Sequence, residues 1–373
     1  MPRVYLDANA TTPLDPGVRE VMERHLDCGN ASSPHGEGRA AREAIDRARD
    51  QVAALVGASP KEIVFTSGGT EANALALLGT MQARSASRVL CSAVEHPSVL
   101  RTLEALRPGG ELIVAPVNAD GAVDKDLEIP DGVGLVSVMR ANNETGALQP
   151  VRAIAQRATA AGAVMHCDAV QACGKIPVDV GQLGVNLLSV SAHKLHGPKG
   201  VGALWIQRGA KLAPLYHGGE HERGYRAGTE NVASIAGFGA AAEIALAELD
   251  ARRALWERLT ALLERELRAS IADIRFNSPT ERVANTLNVT IPDAEGEAVL
   301  LGLDLEGIAV GTGSACSSGA TEPSHVLQAM GRSRTETEQS IRISMHAYNT
   351  EDDVIRFVNA LSRVVKSLRE LLV

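Results

Sequence analysis

The sequence predicts an α/β fold in which helices cover both faces of a mostly parallel sheet, followed by a smaller domain. Short apolar runs alternate with helix-like segments over the first two thirds of the chain, which is the pattern of a parallel sheet with crossover helices. The chain also has 373 residues, whereas a single core usually stops growing near about 250–300 residues. We therefore expect two domains.

Apolar runs predict the strands of the first domain, at Glu62–Phe65, Arg88–Cys91, Gly134–Met139, Ala163–His166, Asn186–Val190 and Val201–Ile206. Helical periodicity predicts helices at Gly38–Val56, Glu71–Ala83, Val151–Ala161 and Asn231–Leu249. A charged, leucine-spaced stretch, Glu248–Ala269, then predicts a long surface helix at the boundary between the domains.

The rest of the chain predicts an α+β domain of roughly 120 residues. Its expected elements are, in order, a strand, a helix, a glycine-rich loop, a second helix, a second strand and a closing amphipathic helix. They cover Asn285–Ile291, Glu295–Leu305, Gly311–Gly319, Ser324–Met330, Gln339–Ser344 and Asp352–Leu372.

Composition argues against several classes of function. Hydrophobic residues make up 45% of the chain and charged residues 22%, which is ordinary for a globular protein. The net charge of -8 argues against a nucleic acid or an anionic membrane as the main partner, because either would need a basic surface. The N-terminus has no apolar leader, and no run reaches the roughly 18 apolar residues of a membrane helix, so we expect a cytoplasmic protein.

The cysteines are scattered along the chain without a C-x-x-C pair, at Cys28, Cys91, Cys167, Cys173 and Cys316. This pattern predicts neither a zinc site nor a disulfide framework, so we expect free thiols. Cys316 is unusual because its run, Gly311-Thr-Gly-Ser-Ala-Cys-Ser-Ser-Gly319, is too small and flexible to form core. Taken alone, the run is also compatible with a plain turn that holds an incidental cysteine.

Unusual polar residues follow the predicted strands, at the sheet edge where open α/β sheets bind ligands. Phe65 precedes Thr66-Ser-Gly-Gly-Thr70 and then a helix, a turn that offers backbone N–H groups and a positive helix end to a phosphate. The turn lacks the Gly-Lys-Ser/Thr of a Walker A loop, so a nucleoside triphosphate is disfavoured.

Other strand ends carry a histidine, a run of amides, a carboxylate and a lysine: His96, Asn142–Gly146, Asp168 and Lys194. Each has an ordinary interpretation, respectively a surface histidine, a turn, a helix cap and a solvated charge. Burial would instead lower the pKa of Lys194 and make it an imine-forming nucleophile. Together, a phosphate cradle, a stacking ring, a carboxylate and such a lysine are the parts of a pyridoxal phosphate site.

These residues resemble the cysteine desulfurases of the class V aminotransferase group, in the long-loop branch of nitrogenase-type and iron–sulfur-cluster enzymes. The resemblance covers essentially the whole chain, in the motifs Tyr5–Pro13, Gly29–His35, Phe65–Asn73, Asn142–Gly146, Ser191–Lys194, His217–Asn231, Gly313–Gly319 and Ser340–Ser344. It implies pyridoxal 5'-phosphate as cofactor and the type I fold of such enzymes. The large domain, residues 13–249, would contain a seven-stranded sheet, and residues 1–12 and 250–373 would form the small α+β domain.

The resemblance also implies a role for each matched residue at the cofactor. Lys194 would bind it as a Schiff base and move protons on the substrate, with His96 stacking on the ring and assisting. Asp168 would keep the ring nitrogen protonated, and Gln171 would hydrogen-bond the ring hydroxyl. The other cofactor contacts would come from Gly69, Thr70, Asn143, Ser191, His193 and Thr229 of the partner subunit, which implies a homodimer.

Gly69 departs from the alanine that relatives often carry, a change that we expect only to loosen the phosphate turn. At the substrate, Arg342 would bind the carboxylate of L-cysteine through two N–H groups, with Asn143 assisting. Cys316 would be the nucleophile that takes the substrate sulfur, releases alanine and passes the sulfur on.

The acceptor would be a protein such as an iron–sulfur scaffold. The resemblance implies no resident metal and leaves open a transient contact of Cys316 with a metal or an iron–sulfur cluster. The alternatives are another class V aminotransferase or lyase, a selenocysteine lyase, and a non-enzymatic sulfur-trafficking scaffold.

Overall fold

The computed structural model describes residues 3–105, 110–312 and 323–371. Its largest sheet has seven strands in the order β2-β8-β7-β6-β5-β3-β4. The strands are β2 (Ile63–Thr66), β3 (Arg88–Ser92), β4 (Glu111–Ala115), β5 (Leu135–Ser137), β6 (Val164–Asp168), β7 (Leu187–Ser191) and β8 (Gly202–Ile206). Strand β8 runs antiparallel to both its neighbours, and the remaining pairs are parallel. The predicted α/β class with a mostly parallel sheet is confirmed.

Strand β4 is the seventh strand and is absent from the strands predicted above, although its sequence contains the apolar run Leu112–Ala115. It lies at the sheet edge beside β3, and four of its five residues are partly buried or exposed. An edge strand is less buried than a central one because it has a neighbouring strand on one side only. The central strands β6, β7 and β8 are buried at every residue, which is why their apolar runs predict them clearly.

Helices cover the sheet: α1 (Pro16–Glu23), α2 (Gly36–Leu55), α3 (Gly69–Arg84), α4 (Pro97–Ala105), α5 (Val151–Ala160), α6 (Val180–Leu183) and α7 (Val232–Ala247). Helix α7 is apolar on all sides and packs against α2, where an added Cβ at Gly239 would lie 2.5 Å from the Cα of Ala48. The Asn231 side chain caps α7 by accepting a hydrogen bond from the Ser234 N–H at 3.1 Å.

Helix α8 (Leu249–Ser270) begins the second part of the chain and meets α7 at an angle of 68°. In the described residues, no single helix has the length and apolar character needed to cross a membrane, and only this bent pair meets both criteria jointly.

The second part contains β9 (Arg275–Phe276), β10 (Thr286–Thr290), β11 (Ile308–Ala309) and β12 (Ser340–Ser344), with α9 (Gly296–Leu305), α10 (His325–Ala329), α11 (Arg334–Glu338) and α12 (Glu351–Glu370). Strand β10 pairs antiparallel with both β12 and β9. These bounds confirm the strands and helices predicted there.

The N-terminal strand β1 (Val4–Tyr5) pairs in parallel with β11 rather than with the large sheet. Val4 and Leu6 are buried with Leu259 and Phe357 in a hydrophobic cluster separate from the one beneath the large sheet. This arrangement favours the division into residues 13–249 and residues 1–12 with 250–373, which stays a prediction. It carries the chain of residues 7–12 along the carboxyl edge of the large sheet.

Candidate active site

A cavity of about 520 Å³ lies at the carboxyl edge of the large sheet. The sequence-predicted residues that line it are Gly69, Thr70, His96, Asn143, Asp168, Gln171, Ser191, His193, Lys194 and Arg342. A larger open groove of about 1080 Å³ is lined by none of them, and we assign the site to the smaller cavity because the reactive groups converge there.

The turn after β2 leaves a helix start free to bind an anion. Gly68 precedes α3 with a φ of 156°, a conformation that residues with side chains rarely adopt. No described side chain caps the first turn of α3, so the backbone N–H groups at Gly69 and Thr70 are donors beside the cavity. This geometry suits a phosphate group.

Gly69 and Val170 have complementary sizes. A Cβ at Gly69 would lie 2.9 Å from Cγ2 of Val170, closer than real contacts of this kind. The absence of a side chain at Gly69 is therefore matched by the branched side chain of Val170, which also lines the cavity. The expectation that Gly69 only loosens the phosphate turn did not include this contact with Val170.

Glu71 links the phosphate turn to the segment that carries Thr229. Its carboxylate accepts hydrogen bonds from the Ser67 N–H at 2.8 Å and from Nε of Arg226 at 3.0 Å. Burial alone would raise the pKa of Glu71, but these bonds hold it below its usual value. Thr229 itself is exposed and does not line the cavity of this chain, so its predicted phosphate contact is not made within one subunit.

His96 stands at the cavity wall after β3. Its Nδ1 accepts a hydrogen bond from the Ser98 N–H at 3.1 Å and lies 2.8 Å from the Ser98 hydroxyl, which leaves Nε2 as the ring N–H. Burial lowers the pKa of His96, and the cation Lys194 adds to this while Asp168 opposes it. A neutral ring with an open face is suited to stacking on a planar ligand.

Asp168 ends β6 as a buried carboxylate, with 5% of its surface exposed. It accepts a hydrogen bond from the Val170 N–H at 2.9 Å and another from Nδ2 of Asn73 at 2.7 Å. This bond to Val170 closes a turn, and the ordinary interpretation of Asp168 as a helix cap is wrong, because residues 169–179 contain no helix. No cation among the described residues lies within ion-pairing distance, so a protonated group in the cavity would complete its charge balance.

Lys194 follows β7 in a short 3₁₀ turn, Ala192–Lys194. Its Nζ donates to the carbonyl oxygens of Asn9 and, at 2.7 Å, of Ala10. Burial and then the charge of Arg342 lower the pKa of Lys194 to about 8, against the opposing charges of Asp7 and Asp168. A substantial neutral fraction near neutral pH is what an amine needs to attack a carbonyl carbon.

His193 and Ser191 complete the wall near the phosphate turn. Burial, with the nearby charges of Lys194 and Lys199, lowers the pKa of His193 to about 4, so this ring is neutral and its N–H serves as a hydrogen-bond donor. Its Nδ1 lies 3.2 Å from the Thr11 hydroxyl. Both residues line the cavity beside Gly69.

Arg342 lies in β12 at the other end of the cavity, 6% exposed. Its Nη2 donates to Oδ1 of Asp7 at 2.7 Å, and its Nη1 donates to the Asn143 carbonyl oxygen at 3.1 Å. Its Nε is buried without a hydrogen-bond partner in the described part of the chain. Asn143 therefore holds Arg342 through its carbonyl oxygen and lines the cavity, and its expected help in binding the substrate stays a prediction.

Gly311, the first residue of the Cys316 run, is tied to Arg342. The two residues form an antiparallel bridge, and a Cβ at Gly311 would lie 2.8 Å from the Arg342 guanidinium. Cys316 lies outside the described residues, as do all residues of the run from 313 to 319. Thr312, the last described residue before Cys316, lines the cavity.

The four described cysteines carry free thiols, as predicted. Burial, followed by nearby carboxylates, raises the pKa of Cys91 and Cys167 well above the ordinary thiol range, and that of Cys173 to about 12. Such thiols are poor nucleophiles, because the thiolate is the reactive form. Cys28 is partly buried and packs against the large core, outside the cavity lining.

The sequence reasoning assigned no role to Asp7, Asn9, Asn73 or Lys175. Asn73 binds both Asp168 and, at 2.9 Å, the Ser98 hydroxyl, and its Oδ1 is buried without a partner among the described residues. Asp7 and Asn9 belong to the motif Tyr5–Pro13, and Asn73 belongs to the motif Phe65–Asn73. Membership in these motifs was the sequence signal that could have identified them as site residues. Lys175 carried only the signal of being four residues after Gln171.

The residues present fit pyridoxal 5'-phosphate. The uncapped start of α3 suits its phosphate, the unpaired Asp168 carboxylate suits a protonated ring nitrogen, and Lys194 has the pKa of an imine-forming amine. The cavity volume also falls within the range of about 300–1,000 Å³ usual for small-molecule sites.

Comparison with known proteins agrees with this chemistry. The aminotransferase class-V family model matches residues 4–357. A cysteine desulfurase IscS of Dictyoglomus turgidum is 44% identical over 380 residues, which cover 99% of this chain and 96% of that protein.

Two solved structures share the fold. A NifS-like protein has a TM-score of 0.91 and 36% identity, covering 98% of this chain and 100% of that one. SspA, solved in complex with cysteine, has a TM-score of 0.81 and 32% identity, covering 93% and 100% of the two chains. Enzymes of this kind depend on pyridoxal phosphate. With a family match over most of its length and full-length relatives, this chain belongs to the aminotransferase class-V family.

Proposed function

We propose that this protein is a pyridoxal 5'-phosphate-dependent cysteine desulfurase that converts L-cysteine to L-alanine and passes the sulfur to Cys316. One observation carries the proposal. A lysine with a lowered pKa, a buried carboxylate without a cation among the described residues, and a buried arginine line the same cavity, as does Thr312, which lies four residues before Cys316. Full-length relatives named cysteine desulfurase support the substrate.

The sheet edge holds the cofactor. The N–H groups at the start of α3, with Ser191 and His193, bind its phosphate, while Asp168 keeps its ring nitrogen protonated. The bound cofactor supplies an electron sink for reaction at the substrate α carbon. Lys194 would hold the cofactor through its amine and would move protons at the substrate carbons.

The opposite end orients the substrate. Arg342 is held in place by Asp7 and by the Asn143 carbonyl, and its buried Nε has no hydrogen-bond partner among the described residues. The carboxylate of L-cysteine replaces Asp7 at the guanidinium, which turns an internal ion pair into a bond with the substrate. Arg342 thereby sets which end of the amino acid faces Lys194.

Sulfur transfer requires one bond to break and one to form. The Cys316 thiolate attacks the substrate sulfur, an S–S bond forms, and the C–S bond breaks with its electron pair left on carbon. Proton transfer by Lys194 to that carbon then completes alanine, and Cys316 retains a persulfide. The four described cysteines are not alternative nucleophiles. Cys91, Cys167 and Cys173 are buried and have a raised pKa, and Cys28 lies outside the cavity lining.

The proposal includes a homodimer, a sulfur-accepting protein and a cytoplasmic location. Thr229 is exposed, outside its own cavity and tied to the phosphate turn through the Arg226–Glu71 ion pair, which suits a residue that reaches the partner subunit's phosphate site. A variant that remains monomeric should therefore bind the cofactor more weakly, and a fully active monomer would contradict the shared site.

The test of function is the product formed from L-cysteine. We expect equimolar alanine and, with a thiol reductant present, sulfide, each measured by mass spectrometry or colorimetry. Transamination of alanine or serine to an oxo acid without sulfide would instead favour another aminotransferase. Purified protein without the visible absorption of the cofactor would favour a non-enzymatic scaffold.

Two variants sharpen this test. Lys194→Ala should lose the absorption band of lysine-bound cofactor and all turnover, because no other described lysine lines the cavity. Cys316→Ser should keep that band but stop sulfide release, whereas the matched change Cys28→Ser should leave both unchanged. Near-normal sulfide release by Cys316→Ser would disprove the assignment of the nucleophile.

A further inference from the structure

Lys175 is a buried lysine without a carboxylate partner. Only 4% of its surface is exposed, and no described acidic side chain lies within ion-pairing distance. Its Nζ donates to Oε1 of Gln171 at 2.6 Å and to Oδ1 of Asn9 at 2.7 Å. Burying an amine is costly, so two short hydrogen bonds to neutral amides call for a reason.

The partners of the two amides fix which way each amide points. Nδ2 of Asn9 donates to the Asn143 carbonyl at 3.0 Å and to the Thr286 hydroxyl at 2.9 Å, so its oxygen must face Lys175. Nε2 of Gln171 donates to the Asn9 carbonyl at 3.0 Å, so its oxygen faces Lys175 as well. Lys175 donates to both buried oxygens, and the Asn9 oxygen also accepts a longer bond, at 3.4 Å, from Nδ2 of Asn285.

This arrangement leaves one N–H of Gln171 unused. Its amide nitrogen carries two hydrogens, and among the described residues only the Asn9 carbonyl accepts one of them. Gln171 lines the cavity, so the second N–H is available to a hydrogen-bond acceptor there. If the amide rotated, an acceptor oxygen would face the same place and repel an electron-rich ligand atom.

We infer that Lys175 is a positioning residue that holds the Gln171 amide so that an N–H donor faces the ring oxygen of the bound cofactor. The inference rests on the proposed function, because that function places pyridoxal 5'-phosphate in the cavity. Burial, with the charges of Lys194 and Arg342, lowers the pKa of Lys175 far below its usual value. The role survives this shift, since a neutral amine still has two N–H donors for the two oxygens.

The test compares two probes with the cofactor-free protein: pyridoxal 5'-phosphate and its 3-deoxy analogue, which lacks the ring hydroxyl. In Lys175→Met, affinity for pyridoxal 5'-phosphate should fall about ten- to hundredfold, the usual effect of a hydrogen bond to a charged or strongly polar group. Affinity for the 3-deoxy analogue should fall less than about threefold, because Gln171 has no ring oxygen to bind there. Lys61→Met, the same change at an exposed lysine, should bind both probes like the wild type.

Equal losses for the two probes in Lys175→Met would show a purely structural role and overturn the inference, as would no loss for either. If that variant does not fold, as judged by circular dichroism, Lys175→Gln takes its place. The shorter amide cannot reach both oxygens, so it should also lose affinity selectively for pyridoxal 5'-phosphate, and wild-type affinity in this folded variant would overturn the assignment. Failure of the wild type itself to bind pyridoxal 5'-phosphate would instead refute the proposed function.

Discussion

The two ends of the cavity differ in whether their carboxylate has a cationic partner. Asp168, at the large sheet, accepts hydrogen bonds from the Val170 N–H and the Asn73 amide and has no cationic partner in the described part of the chain. Asp7, beside β12, is paired with Arg342 at 2.7 Å. At the Asp168 end, a ligand must therefore bring the positive charge that balances the carboxylate. At the Arg342 end, the charges already balance, and a ligand carboxylate must displace Asp7.

This difference separates two kinds of binding. A site with an unpaired buried carboxylate gains stability when a protonated ring occupies it, which suits a cofactor that stays bound. A site whose arginine already has a carboxylate partner binds a second carboxylate only in exchange for the first, which suits a substrate that must enter and leave. Lys194 responds to both ends, since Asp7 and Asp168 raise its pKa while burial and Arg342 lower it.

The largest expected effect comes from removing the charge at the cofactor end. Asp168→Asn keeps the shape of the side chain but loses the negative charge, so the ring nitrogen of the cofactor is no longer held protonated. We expect kcat for L-cysteine to fall about a hundredfold or more, the scale typical of losing one preorganised electrostatic contact. Steady-state assays of alanine formation measure this.

A matched control for this change is Asp179→Asn. Asp179 caps α6 by accepting from the Gln182 N–H at 2.8 Å and does not line the cavity. We expect it to cost a little stability and to leave kcat unchanged. An equal loss of kcat in both variants would mean that the Asp168 effect comes from general destabilisation.

The next largest effect is expected at the substrate end. Arg342→Lys keeps the charge but loses the planar pair of N–H donors, so L-cysteine should bind about ten- to hundredfold more weakly. We expect KM to rise by that factor with a smaller change in kcat, because the contact orients the substrate in both the bound and the reacting states. A fall in kcat alone would contradict the carboxylate assignment.

Arg369→Lys makes the same substitution on α12, where Arg369 donates to the carbonyl oxygens of Pro292 and Ala272. It should leave KM for L-cysteine unchanged, because this arginine lies outside the cavity lining.

The pH dependence of cofactor capture should report the pKa of Lys194. Only the neutral amine attacks the cofactor carbonyl, and Lys194 becomes neutral as the pH rises through about 8. The rate at which cofactor-free protein captures pyridoxal 5'-phosphate should therefore rise about tenfold per pH unit below this value and level off above it. Stopped-flow absorbance measures the rate, and a rise that continues beyond about pH 10 would indicate an ordinary solvated lysine.

Much of the candidate site is predictable because its reactive residues directly follow strands that the sequence predicts. Strands β6 and β7 are mostly apolar and buried at every residue, and β6 ends at Asp168 while Lys194 follows three residues after the end of β7. The carboxyl ends of parallel strands meet at one edge, so short motifs far apart in sequence imply a single site. Strand β4 is not among the predicted strands, although it carries the apolar run Leu112–Ala115, and it lies at the sheet edge without a residue of the site.

The contacts that tune the site are less predictable. The Asp7–Arg342 ion pair joins residues 335 positions apart and exists only because β1 and β12 belong to the same part of the fold. Lys175 likewise looks like a solvated charge until Asn9 is placed against it. Such pairs depend on tertiary contacts, and charge patterns along one chain segment do not encode them.

The smallest expected effect, and the most direct test of the contrast between the two ends, is that of Asp7→Asn. The variant keeps a hydrogen-bond acceptor near Arg342 but removes the charge with which the substrate competes, so KM for L-cysteine should fall a few-fold. The same change removes a charge that raises the pKa of Lys194, so the pH at which cofactor capture levels off should move below about 8. The cofactor-free protein should also unfold at a lower temperature, because Arg342 is left buried without a counter-charge, and a carboxylate ligand should restore more stability than it does in the wild type. A raised KM together with an unchanged pH midpoint would mean that Asp7 only holds Arg342 in place and does not compete with the substrate.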